Sequence, residues 1–370
     1  MRIAIDTRDL AFATTGTHTY LKELLLALHN RPTSDIRIIE LTGLRWGTSL
    51  RKPSFFQKML LQLLLLIWKQ FVLPVRCFFS GAQVLICTDY MLPLLPCGAK
   101  KMVVFHDALF FDKPEYYPRP WLLYFRTLVL PAAHRAKAII APSSFSAARL
   151  LDHFPSWSAK LKVIYQGPKQ LPEASAPSTA GSLVKKQLQD CPYFLHVGTF
   201  EKRKNIPFLL EGFAKFSSQR FIKLLLIGLS TGKKNSDDTH QIRATIEQYQ
   251  LQDRVIVAGY LSDGDLAFFY RRATAYFFPS VYEGFGIPLL EAFMYGLPVA
   301  AANATALPEI AGTAALYFDP HDQGSLLACM EQLHENEPLR KELIEKGYDR
   351  AKQFRWSESV EQFVTLAASV

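Results

Sequence analysis

Residues 279–299 read PSVYEGFGIPLLEAFMYGLPV, a stretch in which Glu283 and Glu291 lie eight residues apart. An apolar run ending in FFPS leads into Glu283, a Gly-Phe-Gly turn, Pro288 and a second apolar run. Proline is tolerated in the first turn of a helix, and glycines let the backbone come close to a ligand. The pattern predicts a buried strand, a loop and a helix whose first N–H groups can bind an anion. An ordinary loop leading into a buried helix is the alternative.

Two carboxylates flank this predicted helix start. Glu283 lies just before the helix and Glu291 lies in its second turn. Because helical side chains lean toward the N-terminus, Glu291 can reach back toward the same cleft. An anion site beside carboxylates fits a sugar nucleotide, whose diphosphate needs donors and whose hydroxyls need acceptors. For Glu291, an interaction with the helix dipole is the simpler alternative.

Outward from this stretch, short apolar runs alternate with helical patterns along the whole chain. This alternation predicts an α/β fold with parallel sheets that are covered by helices on both faces. In such sheets ligands bind beyond the carboxyl ends of the strands. The predicted strands are 3–5, 84–88, 101–107, 138–143, 162–167, 193–198, 223–228, 255–260, 275–280 and 298–303.

The rhythm is interrupted at 169–182, KQLPEASAPSTAGS, which predicts two Rossmann-like domains joined by a linker. The chain has 370 residues, 49% of them hydrophobic and 20% charged, which suits two globular domains of roughly 150 to 200 residues. The predicted domains are 1–170 for the acceptor and 191–352 for the nucleotide sugar, with a linker over 171–190 and a last helix over 353–370 that crosses back to the first domain.

The cysteines and the first residues predict a cytoplasmic location. MRIAIDTRDL reads as a buried strand because it lacks a basic region followed by an apolar region, as a secretory signal would have. The cysteines are scattered without a CxxC pair, which is typical of reduced thiols. They are Cys77, Cys87, Cys97, Cys191 and Cys329.

Net charge is unevenly distributed between the two halves. Residues 1–170 carry 22 Lys or Arg against 10 Asp or Glu, a net charge of +12, whereas the remainder carries −3. A basic surface indicates an anionic partner such as nucleic acid, phospholipid headgroups or a phosphorylated substrate. A merely solvated surface is the alternative.

One segment, SFFQKMLLQLLLLIWKQFVLPVRCFF at 54–79, is unusually apolar for a soluble domain. Its uncharged part, 59–68, would span about 15 Å as a helix, roughly half of a bilayer core, and is too short to cross. The segment therefore predicts either a helix lying in a membrane interface or a buried helix of the first domain.

The polar residues of this segment favour the membrane interface. At helical pitch Lys58, Gln62 and Lys69 share one narrow side, so most of the helix surface is apolar. A basic stripe on an apolar helix is typical of peripheral membrane binding. Pro74 is predicted to end the helix before Arg76 could join the stripe.

The spacing of Glu283 and Glu291 resembles the E-x7-E signature of the retaining glycosyltransferases of family 4, of the bacterial polysaccharide and surface-glycan type. That family has the GT-B fold, in which two Rossmann-like domains face a central cleft. Other segments resemble it in the same order along the chain: TTGTHTYLKELLLAL (14–28), FHDALFF (105–111), APSSFSAARL (141–150), FLHVGTFEKRKNIPFLLEGF (194–213), VIVAGYLSDGDLAFFYRRATAYFFPS (255–280) and ALPEIAG (306–312).

The basic pair Arg203–Lys204 follows a predicted strand end. Cleavage of a sugar–diphosphate bond leaves charge on the phosphate, which these cations could neutralise. A solvated loop is the alternative. The resemblance assigns both residues to the diphosphate, although many relatives have an arginine where this chain has Thr199.

The resemblance also assigns the remaining parts of the donor site. It implies that Glu291 binds the ribose and that Gly259 and Tyr260 lie at the base. It also implies that Glu283 and the amides of Phe285 and Gly286 bind the donor sugar. Gly16 would let the first loop close over the diphosphate, and His106 would face the sugar. For Gly259 and Tyr260 the alternative is packing. For Gly16 it is a simple turn, and for His106 it is a structural role.

Two sets of site residues follow. The expected catalytic residues are His106, Arg203, Lys204 and Glu283. The expected donor-binding residues are Gly16, Thr199, Arg203, Lys204, Gly259, Tyr260, Glu283, Gly284, Phe285, Gly286, Ile287 and Glu291.

The resemblance implies a retaining hexosyltransferase that needs no metal or other cofactor. It would use a nucleotide-diphosphate sugar such as GDP-mannose and a glycan or lipid-linked saccharide acceptor at the cytoplasmic face of the membrane, without nucleic acid. The alternatives are a non-catalytic sugar-nucleotide-binding relative and a nucleic-acid-binding protein that uses the basic half.

Overall fold

The computed structural model describes residues 1–12, 16–32, 35–43, 55–170, 172, 177–233 and 235–370. The chain divides into two compact units. The first unit is Met1–Gln166 together with Arg355–Val370, and the second is Gly167–Phe354. The C-terminal segment packs on the first unit, where Trp356 lies edge-on to Tyr20 with 5.2 Å between ring centroids.

Each unit contains a sheet of six parallel strands, as the α/β prediction requires. In the first sheet the order is β2-β1-β3-β4-β5-β6, and in the second it is β12-β11-β10-β7-β8-β9. The strands are β1 (Arg2–Asp6), β2 (Arg37–Leu41), β3 (Val84–Cys87), β4 (Lys100–Val104), β5 (Ala138–Ala141), β6 (Leu161–Val163), β7 (Tyr193–Val197), β8 (Lys223–Ile227), β9 (Val255–Gly259), β10 (Ala275–Phe278), β11 (Val299–Ala302) and β12 (Ala315–Phe318).

Helices connect the strands as expected for doubly wound sheets. They are α1 (Asp9–Phe12), α2 (Gly16–His29), α3 (Phe55–Ile67), α4 (Leu73–Ser80), α5 (Leu109–Asp112), α6 (Arg119–Tyr124), α7 (Leu130–His134), α8 (Ser144–His153), α9 (Thr179–Leu188), α10 (Ile206–Ser217), α11 (Thr239–Gln248), α12 (Asp263–Tyr270), α13 (Ile287–Met294), α14 (Leu307–Ala311), α15 (Gln323–Glu335), α16 (Glu337–Ala351) and α17 (Trp356–Ser369).

All ten predicted strands are present, but the edge strands β2 and β12 were not predicted. An edge strand pairs on one side only and leaves part of its surface in water. In β2 the charged residues Arg37 and Glu40 are exposed, so the strand lacks a continuous apolar run. β12 has only four residues, and its two central side chains are partly exposed.

The predicted linker over 171–190 is too long, because α9 lies within it. The side chain of Ser178 caps this helix by accepting from Gly181 N at 3.2 Å. The same hydroxyl donates to Asp265 Oδ2 of α12 at 2.7 Å, which attaches the helix to the second unit. Residues 171 and 173–176 of the predicted linker lie outside the described residues.

The prediction that Pro74 ends the apolar helix is wrong. α3 continues through a π-helical turn, Trp68–Val72, directly into α4, where Pro74 occupies the first turn. The wider hydrogen-bond spacing of a π-turn accommodates the missing N–H of proline. The continuous helix Met59–Ser80 is long and apolar enough to cross a membrane by length and composition, a test that core helices also pass.

The predicted basic stripe is also wrong at Lys69. This side chain is buried in the first unit, and its ammonium lies 2.6 Å from Asp6 Oδ2 and 2.6 Å from Asp89 Oδ2. The burial of Lys69 follows from two carboxylates at remote strand ends, which a helical wheel does not take into account. Gln62 is exposed, whereas the side chain of Lys58 lies outside the described residues.

Candidate active site

The second sheet reverses its winding direction between β7 and β10. From β7 the chain adds β8 and β9 on one side, then crosses to place β10 on the other side. Ligands of open α/β sheets bind beyond the carboxyl ends of strands at such a point. The loops that leave β7 and β10 carry Arg203–Lys204 and Glu283, and Val281 N donates to Arg203 O at 2.8 Å. The backbone therefore joins the two predicted site loops.

The loop after β7 turns one cation inward. Lys202–Lys204 form a single 3-10 turn, and Asn205 adopts a left-handed conformation with φ 54° before α10 begins. Lys202 is exposed and Lys204 is buried. The position of each lysine within this short turn therefore determines whether its side chain is exposed or buried.

Glu283 connects the two loops through a buried ion-pair group. Its Oε1 lies 2.6 Å from Lys204 Nζ, and its Oε2 lies 2.9 Å from Arg203 Nη1. Arg203 also donates from Nε to Glu201 Oε2 at 2.8 Å and from Nη1 to the Tyr282 carbonyl at 3.1 Å. Both cations of the predicted diphosphate site thus converge on the predicted sugar-binding carboxylate.

Burial and charge act in opposite directions on this group. Burial alone would raise the pKa of Glu283, but the charges of Arg203 and Lys204 outweigh it and lower the pKa to about 2. For Lys204 burial is the larger effect, so its pKa is lowered despite the attraction of Glu283. The cluster is therefore charged, and its burial carries a desolvation cost in free energy, as for buried ion pairs in general.

The depressed pKa makes stability pH-dependent. The pKa of Glu283 is about 2 in the folded state, below the value of 4.5 for the unfolded chain. Glu283 therefore contributes stability above about pH 4.5, and this stability is lost as the pH falls toward 2. In urea denaturation between pH 5 and pH 2, we expect the wild type to lose about 3 kcal/mol more than Glu283→Gln, since 1 pKa unit corresponds to about 1.4 kcal/mol. Parallel curves for the two proteins would contradict the assignment.

The glycine turn before α13 is dictated by both conformation and space. Gly286 has φ 106°, and a Cβ there would lie 2.9 Å from Leu307 Cδ2. Pro288 occupies the first turn, as predicted. Thr305 Oγ1 accepts from Glu283 N at 3.0 Å and holds the start of the loop. Ile287 opens the helix, and Gly284 and Phe285 are buried in the turn.

Glu291 occupies the second turn of α13 and is buried. Its Oε2 accepts a hydrogen bond from the Tyr270 hydroxyl at 3.0 Å. Tyr270 in turn stacks on Tyr295, with 5.9 Å between ring centroids. Packing therefore holds the carboxylate in one orientation.

Three other predicted residues follow strand ends of the second sheet. Thr199 lies two residues after β7, and Gly259 ends β9 with φ 71°. Tyr260, directly after β9, exposes 73% of its surface. An aromatic ring so placed has a free face at the carboxyl edge of the sheet.

Gly16 and His106 belong to the first unit. Gly16 is the exposed first residue of α2, and a Cβ there would have no atom within 4 Å among the described residues, apart from its chain neighbours and the backbone of its own helix. His106 follows β4 and is partly exposed, and its Nε2 lies 2.6 Å from the Thr88 carbonyl. Burial of the ring lowers its pKa to about 4, so the imidazole is neutral at physiological pH.

The sequence reasoning missed His196 and Tyr276. His196 of β7 is fully buried, and its Nδ1 donates to the Phe277 carbonyl at 2.9 Å. Its Nε2 has no hydrogen-bond partner among the residues that the structure describes. Tyr276 is buried close to both Glu283 and Glu291. Burial is the main cause that raises the pKa of Tyr276, and the charges of the two carboxylates raise it further. Polar residues within two apolar strands were the signal that could have been used.

Comparison with known proteins assigns the chain to a family. The family model described as glycosyl transferases group 1 matches residues 184–350. The O-antigen chain mannosyltransferase B of Escherichia coli is 31% identical over 267 residues, which cover 72% of this chain and 69% of that protein. This chain belongs to the glycosyl transferases group 1 family and is a glycosyltransferase.

Solved structures agree on the fold. The sucrose-phosphate synthase of Thermosynechococcus elongatus aligns with 100% of this chain and 98% of its own, with a TM-score of 0.76 and 19% identity. Anabaena HepE in complex with UDP and glucose aligns over 100% of both chains, with a TM-score of 0.74 and 17% identity. The predicted GT-B fold and glycosyltransferase class are confirmed, and the nucleic-acid and non-catalytic alternatives are not favoured.

Proposed function

We propose that this protein is a retaining mannosyltransferase. It would transfer mannose from GDP-mannose or a similar nucleotide sugar to a glycan or lipid-linked saccharide at the cytoplasmic face of the membrane. The ion-pair group of Arg203, Lys204 and Glu283 at the strand reversal of the second sheet carries this proposal. The choice of mannose and of a surface-glycan acceptor is supported by the likeness to O-antigen chain mannosyltransferase B.

The leaving diphosphate would bind Arg203 and Lys204. Both cations already point into one buried place, so little reorganisation is needed when negative charge develops there. Once the diphosphate engages them, Glu283 can accept hydrogen bonds from the sugar hydroxyls. The bond between the anomeric carbon and the phosphate oxygen breaks, the acceptor oxygen bonds to the same face, and the acceptor proton passes to the leaving phosphate.

The nucleoside would lie along the carboxyl edge of the second sheet. Glu291, oriented by Tyr270, accepts from the ribose hydroxyls, and the exposed ring of Tyr260 covers the base beside Gly259. The N–H groups of Phe285 and Gly286, in the turn before α13, would bind the donor sugar together with Glu283. We assign Gly16 and His106 of the first unit to the diphosphate and the sugar, as the family resemblance implies.

The proposed reaction needs no metal ion. A divalent cation would neutralise the leaving phosphate, and here two cationic side chains supply that charge. Arg203 offers a planar fork of donors and Lys204 a point charge, a combination suited to a diphosphate.

The donor class can be identified by thermal stabilisation with GDP, UDP, TDP and ADP, each with and without EDTA. A ligand at one hundred times its Kd adds about 2.7 kcal/mol to the stability of the folded state. We expect GDP to raise the Tm in both conditions, because the site uses side-chain cations. We expect Glu291→Ala to lose most of this shift, since the ribose acceptor is removed.

Three other outcomes of the thermal-stabilisation experiment would each contradict part of the proposal. A shift with another nucleotide would keep the fold and the site but overturn the choice of GDP-mannose. A shift that EDTA abolishes would overturn the metal-independent site. No shift with any nucleotide would contradict the proposed donor site.

The first unit offers a surface for an anionic lipid bilayer. Large apolar side chains are exposed at helical spacing along α3, the π-turn and α4. They are Phe56, Met59, Leu60, Leu63, Ile67, Phe71, Val75, Phe78 and Phe79. The opposite side of the same helix is in the core through Leu73 and Cys77, so the helix lies against the sheet. Together with the net charge of +12 on residues 1–170, this favours peripheral binding to a negative surface.

Membrane contact is testable with vesicles. We expect Phe71→Ser combined with Phe79→Ser to lower partitioning onto phosphatidylglycerol vesicles at least tenfold, because burial of each ring is worth about 1.5 to 3 kcal/mol. The matched control is Phe221→Ser, which removes a ring that is 76% exposed in the second unit. Equal partitioning of all three proteins would contradict the lipid surface, and a change in oligomeric state instead would identify a second copy as the partner.

A further inference from the structure

A buried lysine occupies the strand reversal of the first sheet. That sheet changes winding direction between β1 and β3, because β2 flanks β1 on one side and β3–β6 follow on the other. Asp6 ends β1, and Asp89 follows β3 by two residues. The Lys69 ammonium lies 2.6 Å from a carboxylate oxygen of each. The place where such a sheet usually binds a ligand is therefore filled by a side chain of the protein.

The π-helical turn brings three consecutive side chains to this place. Trp68, Lys69 and Gln70 are all buried. Trp68 Nε1 donates to Asp6 Oδ1 at 3.1 Å. Gln70 Oε1 accepts from Leu94 N at 2.8 Å. The helix thus holds both the end of β1 and the loop after β3.

Asp6 and Asp89 also lie close to Cys87, with ligand atoms within 4.8 Å of one another. Such a group could hold a metal ion, but here the ammonium of Lys69 is paired with both carboxylates. Burial raises the pKa of Asp89 to about 7, and the charge of Lys69 opposes that rise. Loss of Lys69 would therefore leave two carboxylates close together without their counter-charge.

The loop held by Lys69 orients His106. The residue before Asp89 is Thr88, whose carbonyl lies 2.6 Å from His106 Nε2. A carbonyl only accepts, so Nε2 carries the proton and Nδ1 is left as the acceptor. The ring also lies edge-on to Tyr20, with 4.8 Å between centroids. The tautomer and direction of the imidazole thus depend on where the Thr88 carbonyl is held.

We infer that Lys69 is a positioning residue of the transfer reaction: by holding Asp89 against Asp6, it fixes the Thr88 carbonyl that orients His106. This inference rests on the proposed function, in which His106 faces the donor sugar. Stability alone does not explain the arrangement, because apolar residues generally stabilise such a place as well as a buried ion pair does.

The test uses three variants of the full chain: Lys69→Met, Lys69→Arg and Asp89→Asn. We expect kcat to fall about tenfold to a hundredfold in Lys69→Met, as for a displaced catalytic group. The Kd for GDP is expected to stay unchanged, because the proposed nucleotide-binding residues Arg203, Lys204 and Glu291 belong to the second unit. Lys69→Arg should regain part of the lost rate.

A spectroscopic readout separates positioning from folding. In ¹⁵N NMR of labelled histidine, the wild-type His106 should show a protonated Nε2, and Asp89→Asn should replace this with a mixture of tautomers. Asp89→Asn keeps the shape of the side chain and the Lys69–Asp6 pair, so it decides the outcome if Lys69→Met does not fold. An unchanged tautomer together with an unchanged kcat in Asp89→Asn would overturn the inference.

Failure of the proposed function gives a different result. If His106→Ala transfers sugar at the wild-type rate, the role proposed for His106 is wrong, whatever the Lys69 variants do. If His106→Ala is impaired but folded Lys69→Met retains full kcat and the wild-type tautomer, only the inference about Lys69 is wrong.

Discussion

Lys204→Ala is expected to lower the rate of sugar transfer by about 10²- to 10³-fold, the usual cost of removing one charge-stabilising donor from a reaction site. It should also weaken binding of the nucleoside diphosphate, because in the proposed mechanism the ammonium interacts with the leaving phosphate before and after cleavage. Lys204 is buried and 2.6 Å from Glu283, so solvent cannot replace its charge. Steady-state kinetics and calorimetric titration with GDP measure both effects.

Lys202→Ala is the matched control for this change. Lys202 lies in the same 3-10 turn but is exposed, so its removal should leave the rate within about twofold, as for most surface substitutions. The free energy of unfolding of Lys204→Ala must be measured alongside, because the buried Glu283 carboxylate then keeps only Arg203 as a charged partner. Breaking a buried ion pair costs about 3 to 5 kcal/mol in comparable cases. A folded Lys204→Ala protein with full activity would refute the assigned role.

Glu283→Gln is expected to reduce kcat by a similar factor of about 10² to 10³, but with the opposite effect on the nucleotide. The amide keeps the shape of the side chain and loses the charge that binds both Arg203 and Lys204. These cations then have no carboxylate competing with the diphosphate, so GDP binding should be as tight as in the wild type or tighter. Titration with GDP beside kinetics with the complete donor separates the two effects.

Glu211→Gln is a suitable control for this second change. Glu211 forms an exposed pair with Lys215 on α10, where loss of one charge should alter neither rate nor affinity measurably. If Glu283→Gln weakened GDP binding as much as Lys204→Ala does, Glu283 would be a structural support of the cations. An unchanged kcat would exclude its contact with the sugar.

Much of the local structure around the proposed donor-binding residues was predictable from local patterns. The strand, glycine turn and proline around Glu283 determine a helix start at that point, and the structure has α13 begin at Ile287. Arg203 and Lys204 follow a strand whose apolar run is unmistakable. Both loops leave the carboxyl ends of parallel strands, and such ends meet at one edge of a sheet.

Strand β2 and the burial of Lys69 could not be predicted from local sequence patterns. β2 carries charged residues at a sheet edge, so its pattern resembles a loop. The helical wheel predicts Lys69 on a basic stripe with Lys58 and Gln62, because a wheel takes no account of the remote carboxylates against which Lys69 is buried. The ion pair of Lys69 with Asp6 joins residues 63 positions apart, a contact for which the sequence carries no local signal.

The α/β class, the strands other than β2 and β12, and the residue types at the proposed donor site follow from the sequence alone, because backbone propensity and apolar periodicity are local properties. Which charges meet, by contrast, depends on the tertiary structure. It placed Lys204 inward and Lys202 outward, joined Arg203 and Lys204 to Glu283, and enclosed Lys69 between two strand ends. The physical reason is that Coulomb energy and desolvation depend on distances between atoms from remote parts of the chain.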